Sequence, residues 1–228
     1  MKFILIFSIL FTSVLSFAQS SNSKGGDGPQ LTGEVTLTTN YVDKGITQTE
    51  KDPAIQTGLG YAFGKTAKLG IWASNVRYPD ESAHLNLKFF GAYKFIFNSN
   101  WDLSFRYDLS KYYKSASRNG SVVGLDFNIY SYHVLLEKND NWEGTLTEAT
   151  WYGLAKDFNL TSNWILELKG GNSMVTATGY TSYFDLRTAI DYKLSDFLVG
   201  MAATYATNSS QFNGRADFFY FFEIKAKF

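Results

Sequence analysis

Apolar and polar residues alternate along most of this chain with a period of two. In the stretch 101–110 (WDLSFRYDLS), Trp101, Leu103, Phe105, Tyr107 and Leu109 fall on one face, and Asp102, Ser104, Arg106, Asp108 and Ser110 on the other. A helix would set Asp102, Arg106 and Leu109 side by side, whereas a strand separates them fully. The same pattern places Leu31, Val35, Leu37 and Tyr41 opposite Glu34, Thr36, Thr38 and Asn40. It places Leu85, Leu87, Phe89, Tyr93, Phe95 and Phe97 opposite His84, Asn86, Lys88 and Lys94, and Phe184, Leu186, Ile190 and Tyr192 opposite Asp185, Arg187 and Asp191. These runs are about ten residues or longer, the length a tilted strand needs to cross a bilayer.

Short turn signals at 64–67, 98–100, 160–163 and 194–196 alternate with longer polar connections at 42–52, 77–82, 114–121 and 207–215. Such alternation fits a barrel with tight turns at one end and loops of roughly ten residues at the other. If both ends of the chain lie on the tight-turn side, the strand number is even. Splitting the run 122–138 near 128–130 gives twelve strands; ten is the alternative, if that region folds out as a loop. The expectation is therefore an all-β, transmembrane, antiparallel up-and-down barrel over residues 31–228.

Alternation by itself does not separate a lipid-facing barrel from a soluble one, because only the direction of the apolar face differs. The last strand bears on the choice. Phe218, Tyr220, Phe222, Ile224, Ala226 and Phe228 share one face, and an aromatic residue closing such a strand resembles the signal read by barrel-assembly machinery. Phe228 is the residue expected to carry it. At the other end, Lys2, the apolar stretch 3–15 and the small residues Ser16 and Ala18 form a secretory leader, cleaved after Ala18. That apolar stretch is short for a spanning helix, which needs about 20 residues. Residues 19–30 are polar and Gly-rich, a flexible lead-in. The expected location is the outer membrane of a Gram-negative bacterium, with outer-membrane lipid and the assembly machinery as partners.

Composition narrows the chemistry. Lys+Arg and Asp+Glu number 21 each, so the chain lacks the basic excess that phosphate backbones demand, and nucleic acid is not an expected partner. With Phe at 20, Tyr at 15 and Trp at 5, the aromatic load suits interfacial girdles. Only His84 and His133 are present and cysteine is absent. Ser131 and His133 could form a dyad, but spacing is its only support. There is no HExxH and no Gly-rich phosphate loop. Neither an enzyme nor a cofactor is expected.

The stretch 41–76 (YVDKGITQTEKDPAIQTGLGYAFGKTAKLGIWASNV) resembles the N-terminal signature of the TorF family of porins, also described as the Gcw_chp domain. The matching residues are Tyr41, Lys44-Gly45, Thr47-Gln48, Pro53-Ala54-Ile55-Gln56 and Gly70-Ile71-Trp72-Ala73-Ser74-Asn75. Lys44 stands where that pattern has arginine, and Thr47 where it has serine. An arginine fork grips a carboxylate bidentately and a lysine does not. The resemblance implies an outer-membrane barrel of porin type. Two readings of 43–52 stay open: Lys44, Gln48 and Glu50 fold over or into the barrel mouth, or Gly45 and Pro53 simply set the loop geometry.

With the apolar faces outward, the lumen receives Glu34, Lys88, Lys94, Asp102, Arg106, Asp108, Asp126, Asp185, Arg187, Asp191, Glu223 and Lys225. Phe219 and Phe221 fall on the same face and would narrow it. A mixed-charge lumen implies passive diffusion of small polar solutes. The alternatives are a closed structural or surface-interaction barrel and, more remotely, a secreted soluble β protein. Barrels of about 8 strands are filled by side chains and those of about 16 leave a channel; twelve lies between.

Overall fold

A computed structural model describes residues 29–79 and 81–228. The expected leader and positions 19–28 of the lead-in lie outside the described residues. The first strand, β1 (Gln30–Thr38), starts one residue before the position expected from sequence. It is followed by a small hairpin, β2 (Val42–Asp43) and β3 (Ile46–Thr47), and then by eleven further long strands. These are β4 (Ala54–Phe63), β5 (Ala67–Asn75), β6 (Leu85–Ile96), β7 (Trp101–Tyr113), β8 (Gly120–Ile129) and β9 (Tyr132–Asn139). β10 (Ala149–Asn159), β11 (Trp164–Val175), β12 (Tyr183–Leu194), β13 (Phe197–Ala206) and β14 (Phe219–Lys227) complete the set.

The twelve long strands form one closed antiparallel barrel, with β1 pairing both β4 and β14. The run 122–138 is two strands. Tyr130 and Ser131, at φ 49° and 61°, make the two-residue turn between them, the left-handed geometry that matches strand twist. At the seam the β1–β14 ladder runs from the Glu34 and Lys227 pair to the Thr38 and Glu223 pair. Gly33 and Phe228 extend it by exchanging main-chain hydrogen bonds of 2.6 and 3.0 Å. A Cβ on Gly33 would sit 2.3 Å from the Phe228 ring, so the glycine is the seat of that ring.

Five tight turns (64–66, 97–100, 130–131, 160–163 and 195–196) lie at one end of the barrel, together with the start of β1. Six longer connections (39–53, 76–84, 114–119, 140–148, 176–182 and 207–218) lie at the other. The loops 140–148 and 176–182 are additional to the four longer connections expected from sequence. The first connection exceeds the expected length of about ten residues because it contains a hairpin of its own.

Outward-facing positions are apolar from strand to strand: Leu59, Phe89, Leu125, Leu154, Leu186 and Met201 are all exposed. A continuous belt of this kind is far larger than the apolar patches soluble monomers carry; lipid is its solvent. Aromatic side chains gather toward both edges, with Tyr61, Phe63, Phe95, Trp101, Tyr132 and Trp164 near the tight turns and Tyr113, Phe184, Tyr205 and Tyr220 near the loops. Several stack edge to face, as Tyr93 and Phe95 do at 4.7 Å.

The facing of the strands makes a direct expectation. Ile190→Arg puts a charge on the lipid face near the middle of β12 and should destabilise the barrel by about 2–4 kcal/mol. Lys94→Gln, on the inner wall, should change stability by less than about 1 kcal/mol. Reversible unfolding in urea with lipid vesicles measures both.

Candidate functional site

The first long connection turns back into the barrel. Val42, Asp43, Ile46 and Thr47 pair as a minimal ladder, and the turn between them is Lys44-Gly45, at φ 47° and 78°. Gly45 is required there twice over. Its φ is left-handed, and a Cβ would stand 2.7 Å from the Ala206 Cβ. Ile46 enters an apolar cluster with Trp142, Tyr183, Phe212 and Ala216, and Val42 packs on the cluster that contains Phe219 and Phe221. Thr47 and Thr49 are buried yet satisfied. The Thr47 hydroxyl donates to Asn40 Oδ1 at 2.6 Å and that of Thr49 to the Asp52 carbonyl at 2.7 Å. The hairpin is a packed plug in the loop end of the lumen.

A buried ionic knot ties the other loops to it. Gln48 accepts from the Tyr78 hydroxyl at 2.7 Å and donates to Glu143 at 3.2 Å. Glu143 also receives Arg215 at 2.6 Å and Arg118 at 3.4 Å. Arg118 binds Glu81 at 2.9 Å. The two guanidinium groups lie over the Tyr78 ring, 3.4 Å and 5.0 Å from its centre. Glu143 itself is held at φ 51°, a sparsely occupied conformation that aims its carboxylate into the mouth. Burial alone would raise the Glu143 carboxyl, but Arg215 and Arg118 outweigh it and draw it down to about 2. Burial opposes the charge of Arg118 as well; the Glu81 hydrogen bond and Glu143 more than restore it.

Below the knot the inner wall is ionic. Lys44 at the hairpin tip donates to Glu137 on β9, which also receives Arg106 at 3.1 Å. Arg106 reaches Asp108 at 3.1 Å. Further round the wall, Arg187 bridges Glu167 and Glu223, and Lys225 bridges Asp191 and Glu223. Toward the tight turns, Lys94 meets Asp102 at 3.4 Å, and His133 meets Asp126 at 2.8 Å. Lys88 stands over the Trp72 ring at 4.7 Å. A polar cavity of about 230 Å³ lies beneath the hairpin, lined by Lys44, Lys88, Arg106, Glu137 and Lys169 among others.

Of the charged residues assigned to the lumen from sequence, Lys88, Arg106 and Asp108 line the cavity beneath the hairpin, Glu34 and Lys225 lie beside Trp72 and Lys227, Asp185 takes the Trp151 N–H, and Lys94, Asp102, Asp126, Arg187, Asp191 and Glu223 stand in ion pairs of the wall. The signature residues fall in two places. Tyr41, Lys44, Gly45 and Gln48 belong to the plug, while Gln56 and Trp72 line the wall nearby, with Tyr41 edge-on to Trp72 at 5.9 Å. Pro53 leads into β4, its carbonyl held by Asn75 at 3.0 Å. Glu50 lies over the rim of the mouth rather than inside it, paired with the exposed Arg77 at 3.0 Å. Ser131 and His133 are not brought together. The serine lies in the turn, bound by Lys156 at 3.1 Å, and the histidine faces Asp126. Among the described residues no cluster of three or more acidic or histidine groups could hold a metal ion.

Sequence reasoning missed Glu137, Lys169 and Glu167 on the wall, and Arg118, Glu143 and Arg215 in the loops. The wall residues were within reach. With the turn at Tyr130 and Ser131, Tyr132, Val134 and Leu136 face lipid and Glu137 must face the lumen. The loop residues carry no period that would pair them.

A family model described as "Bacterial protein of unknown function (Gcw_chp)" matches residues 23–213. No curated protein sequence matches the chain. Among solved structures, the KdgM porin is similar with a TM-score of 0.59 at 10% identity, over 86% of this chain and 99% of that one. The KdgM porin in complex with disordered oligogalacturonate gives 0.58 at 10%, over 87% and 98%. A chain from work on in-meso crystallization of membrane proteins gives 0.56 at 6%, over 87% and 83%. At such identities the likeness speaks for the fold.

The Glu143 knot makes the mouth acid-sensitive in a defined window. A depressed carboxyl contributes its full stabilisation above its unfolded value of 4.5 and loses it as pH falls toward about 2. The near-ultraviolet circular dichroism of Trp142, packed edge-on to Tyr180 at 5.0 Å, should therefore hold steady from neutrality to about pH 4.5 and decline below. Glu143→Gln should lose most of that signal already at pH 7.

Proposed function

The chain belongs to the Gcw_chp family of bacterial proteins, and from its barrel and lumen we propose that it is a porin of the outer membrane, passing small polar solutes by diffusion. The observation that carries this reading is the ionic inner wall. Charged groups of both signs run from Asp108 and Arg106 beneath the plug to Glu34 and Lys227 at the tight-turn end. There a second cavity of about 460 Å³ is lined by Thr32, Glu34, Lys68, Phe90 and Lys227. A wall of this kind solvates hydrated solutes and favours neither sign strongly. The KdgM porin supports the reading through its fold alone.

A second reading has its own support. The hairpin and its apolar clusters fill the loop end of the lumen, as a closed structural barrel would require. Purified protein in a planar bilayer separates the two. Discrete conductance steps with weak ion preference are expected for the porin, and a folded but silent barrel would establish the closed form.

The location and the partners belong to the same proposal. A leader cleaved after Ala18 delivers the chain to the periplasm, and assembly machinery recognises β14 by its terminal Phe228. The seating of that ring on Gly33, at the seam that closes last in chain order, supports the role. Deleting Phe228 should lower the amount of heat-modifiable barrel in outer-membrane fractions severalfold; unchanged recovery would remove Phe228 from this role.

A further inference from the structure

Lys44 occupies an uncommon position. In a two-residue hairpin turn with both φ angles positive, asparagine followed by glycine is the favoured pair, and a long L side chain at the first position is disfavoured. Here that position, at φ 47°, holds lysine. The side chain leaves the hairpin for the barrel wall and donates to Glu137. Its ammonium also stands over the Trp151 ring, 5.5 Å from the ring centre. Lys169 approaches the same ring at 5.0 Å.

The receiving surface is built in advance. The Trp151 ring rests against two glycines: a Cβ on Gly171 would lie 2.4 Å from it, and one on Gly153 2.5 Å. Its indole N–H donates to Asp185 at 2.7 Å. The ring is thus fixed from behind and at its edge, and the Lys44 and Lys169 ammonium groups cover its remaining face. Glu137 is fixed from the side by Arg106 at 3.1 Å. A fixed carboxylate beside a fixed aromatic face is the arrangement that recognises an ammonium group. The cavity of about 230 Å³ beside Lys44 and Glu137 is polar and gives room for the rest of a small molecule, and a smaller one of about 40 Å³ meets the Trp151 ring.

We propose that the Lys44 ammonium is a tethered occupant of a binding site for primary alkylammonium groups, formed by the Glu137 carboxylate and the Trp151 face, and that a solute bearing such a group takes the site by displacing Lys44. The lysine side chain is an n-butylammonium ion attached to the hairpin tip. Displacement needs only that side chain to swing off Glu137, while the packed hairpin and the wall stay in place. The site rests on the inward course of the hairpin rather than on conduction, and it deepens the porin reading by giving the lumen a preferred solute class.

Lys44→Asn is the discriminating variant. It installs the favoured Asn-Gly turn while leaving a side chain too short to reach Glu137. n-Butylammonium chloride, titrated into the full-length detergent-solubilised barrel and followed by calorimetry, should bind Lys44→Asn at least about tenfold more tightly than it binds the wild type. n-Butanol should not saturate either. Adding Glu137→Gln should abolish the binding. Equal affinity for wild type and Lys44→Asn, or binding that survives Glu137→Gln, overturns the proposal. Fold is checked by heat-modifiable migration, and Lys44→Gly, which also suits a positive φ, carries the same expectations should the asparagine variant fail that check. Calorimetry reads the site in a silent barrel as well as in a conducting one, so failure here and failure of the porin reading are separate results.

Discussion

A chain that exposes an apolar belt to lipid must pair every main-chain N–H and C=O within itself, and the meeting of β1 with β14 is where this chain satisfies that demand. Without that seam both edge strands would present open polar groups to hydrocarbon, at several kcal/mol for each group. Closure has a second consequence. Once the strands form a ring, the pleat sends alternate residues inward, and every polar position of the alternating pattern is committed to a shared interior. The mixed ionic wall is thus the other half of the pattern that makes the belt, and its pairs (Arg187 with Glu223, Lys225 with Asp191) are what keep charges inside a ring from being buried alone.

Twelve strands enclose more space than wall side chains fill, and the chain fills the loop end with main chain. The hairpin at 42–47 brings its own backbone groups into the mouth, so each needs a partner there. They find them in the other loops: the Thr47 N–H donates to the Arg215 carbonyl at 2.8 Å and the Arg77 N–H to that of Gln48 at 2.9 Å. Asn40, Thr47 and Thr49 form a small hydrogen-bonded core in which buried hydroxyls substitute for water. Glu143 then gathers Gln48, Arg118 and Arg215, so that three loops and the plug share one carboxylate. Such a network is strong when complete and costly when one member is removed, which makes the mouth cooperative: its loops are ordered together or not at all.

How much of this the sequence shows depends on the range of the interaction. Strand existence, facing and number follow from a period of two and from parity, both local or nearly so. The interior position of Asp102, Arg106 and Asp108 was legible in ten residues of sequence. The turn at Tyr130 and Ser131 shows only as a one-residue shift of the apolar face, from Val123 and Leu125 to Tyr132, Val134 and Leu136, with no Gly or Pro to place it. The plug was legible only as a choice. Gly45 marked a turn, but whether the turn faces in or out depends on partners such as Ala206, Asp185 and Ala216, all more than a hundred residues away. The knot around Glu143 was not legible at all. Its members come from five loops, each with its own irregular backbone, and three-dimensional closure alone makes them neighbours.

The same division of labour bears on what the lumen can do. Wall residues are held by ladders on both sides and cannot move without breaking the barrel. The plug is held by side chains, one short ladder, main-chain bonds to other loops and a carboxylate knot, none of them part of the barrel's own ladders. Chemistry that depends on fixed geometry is accordingly found on the wall, where Trp151 is seated on glycines and Glu137 is braced by Arg106. Chemistry that depends on change is found on the plug, where Lys44 sits at a strained turn. A lumen that must both select and yield needs these two kinds of support in contact, and the Lys44–Glu137 pair is the point at which they touch.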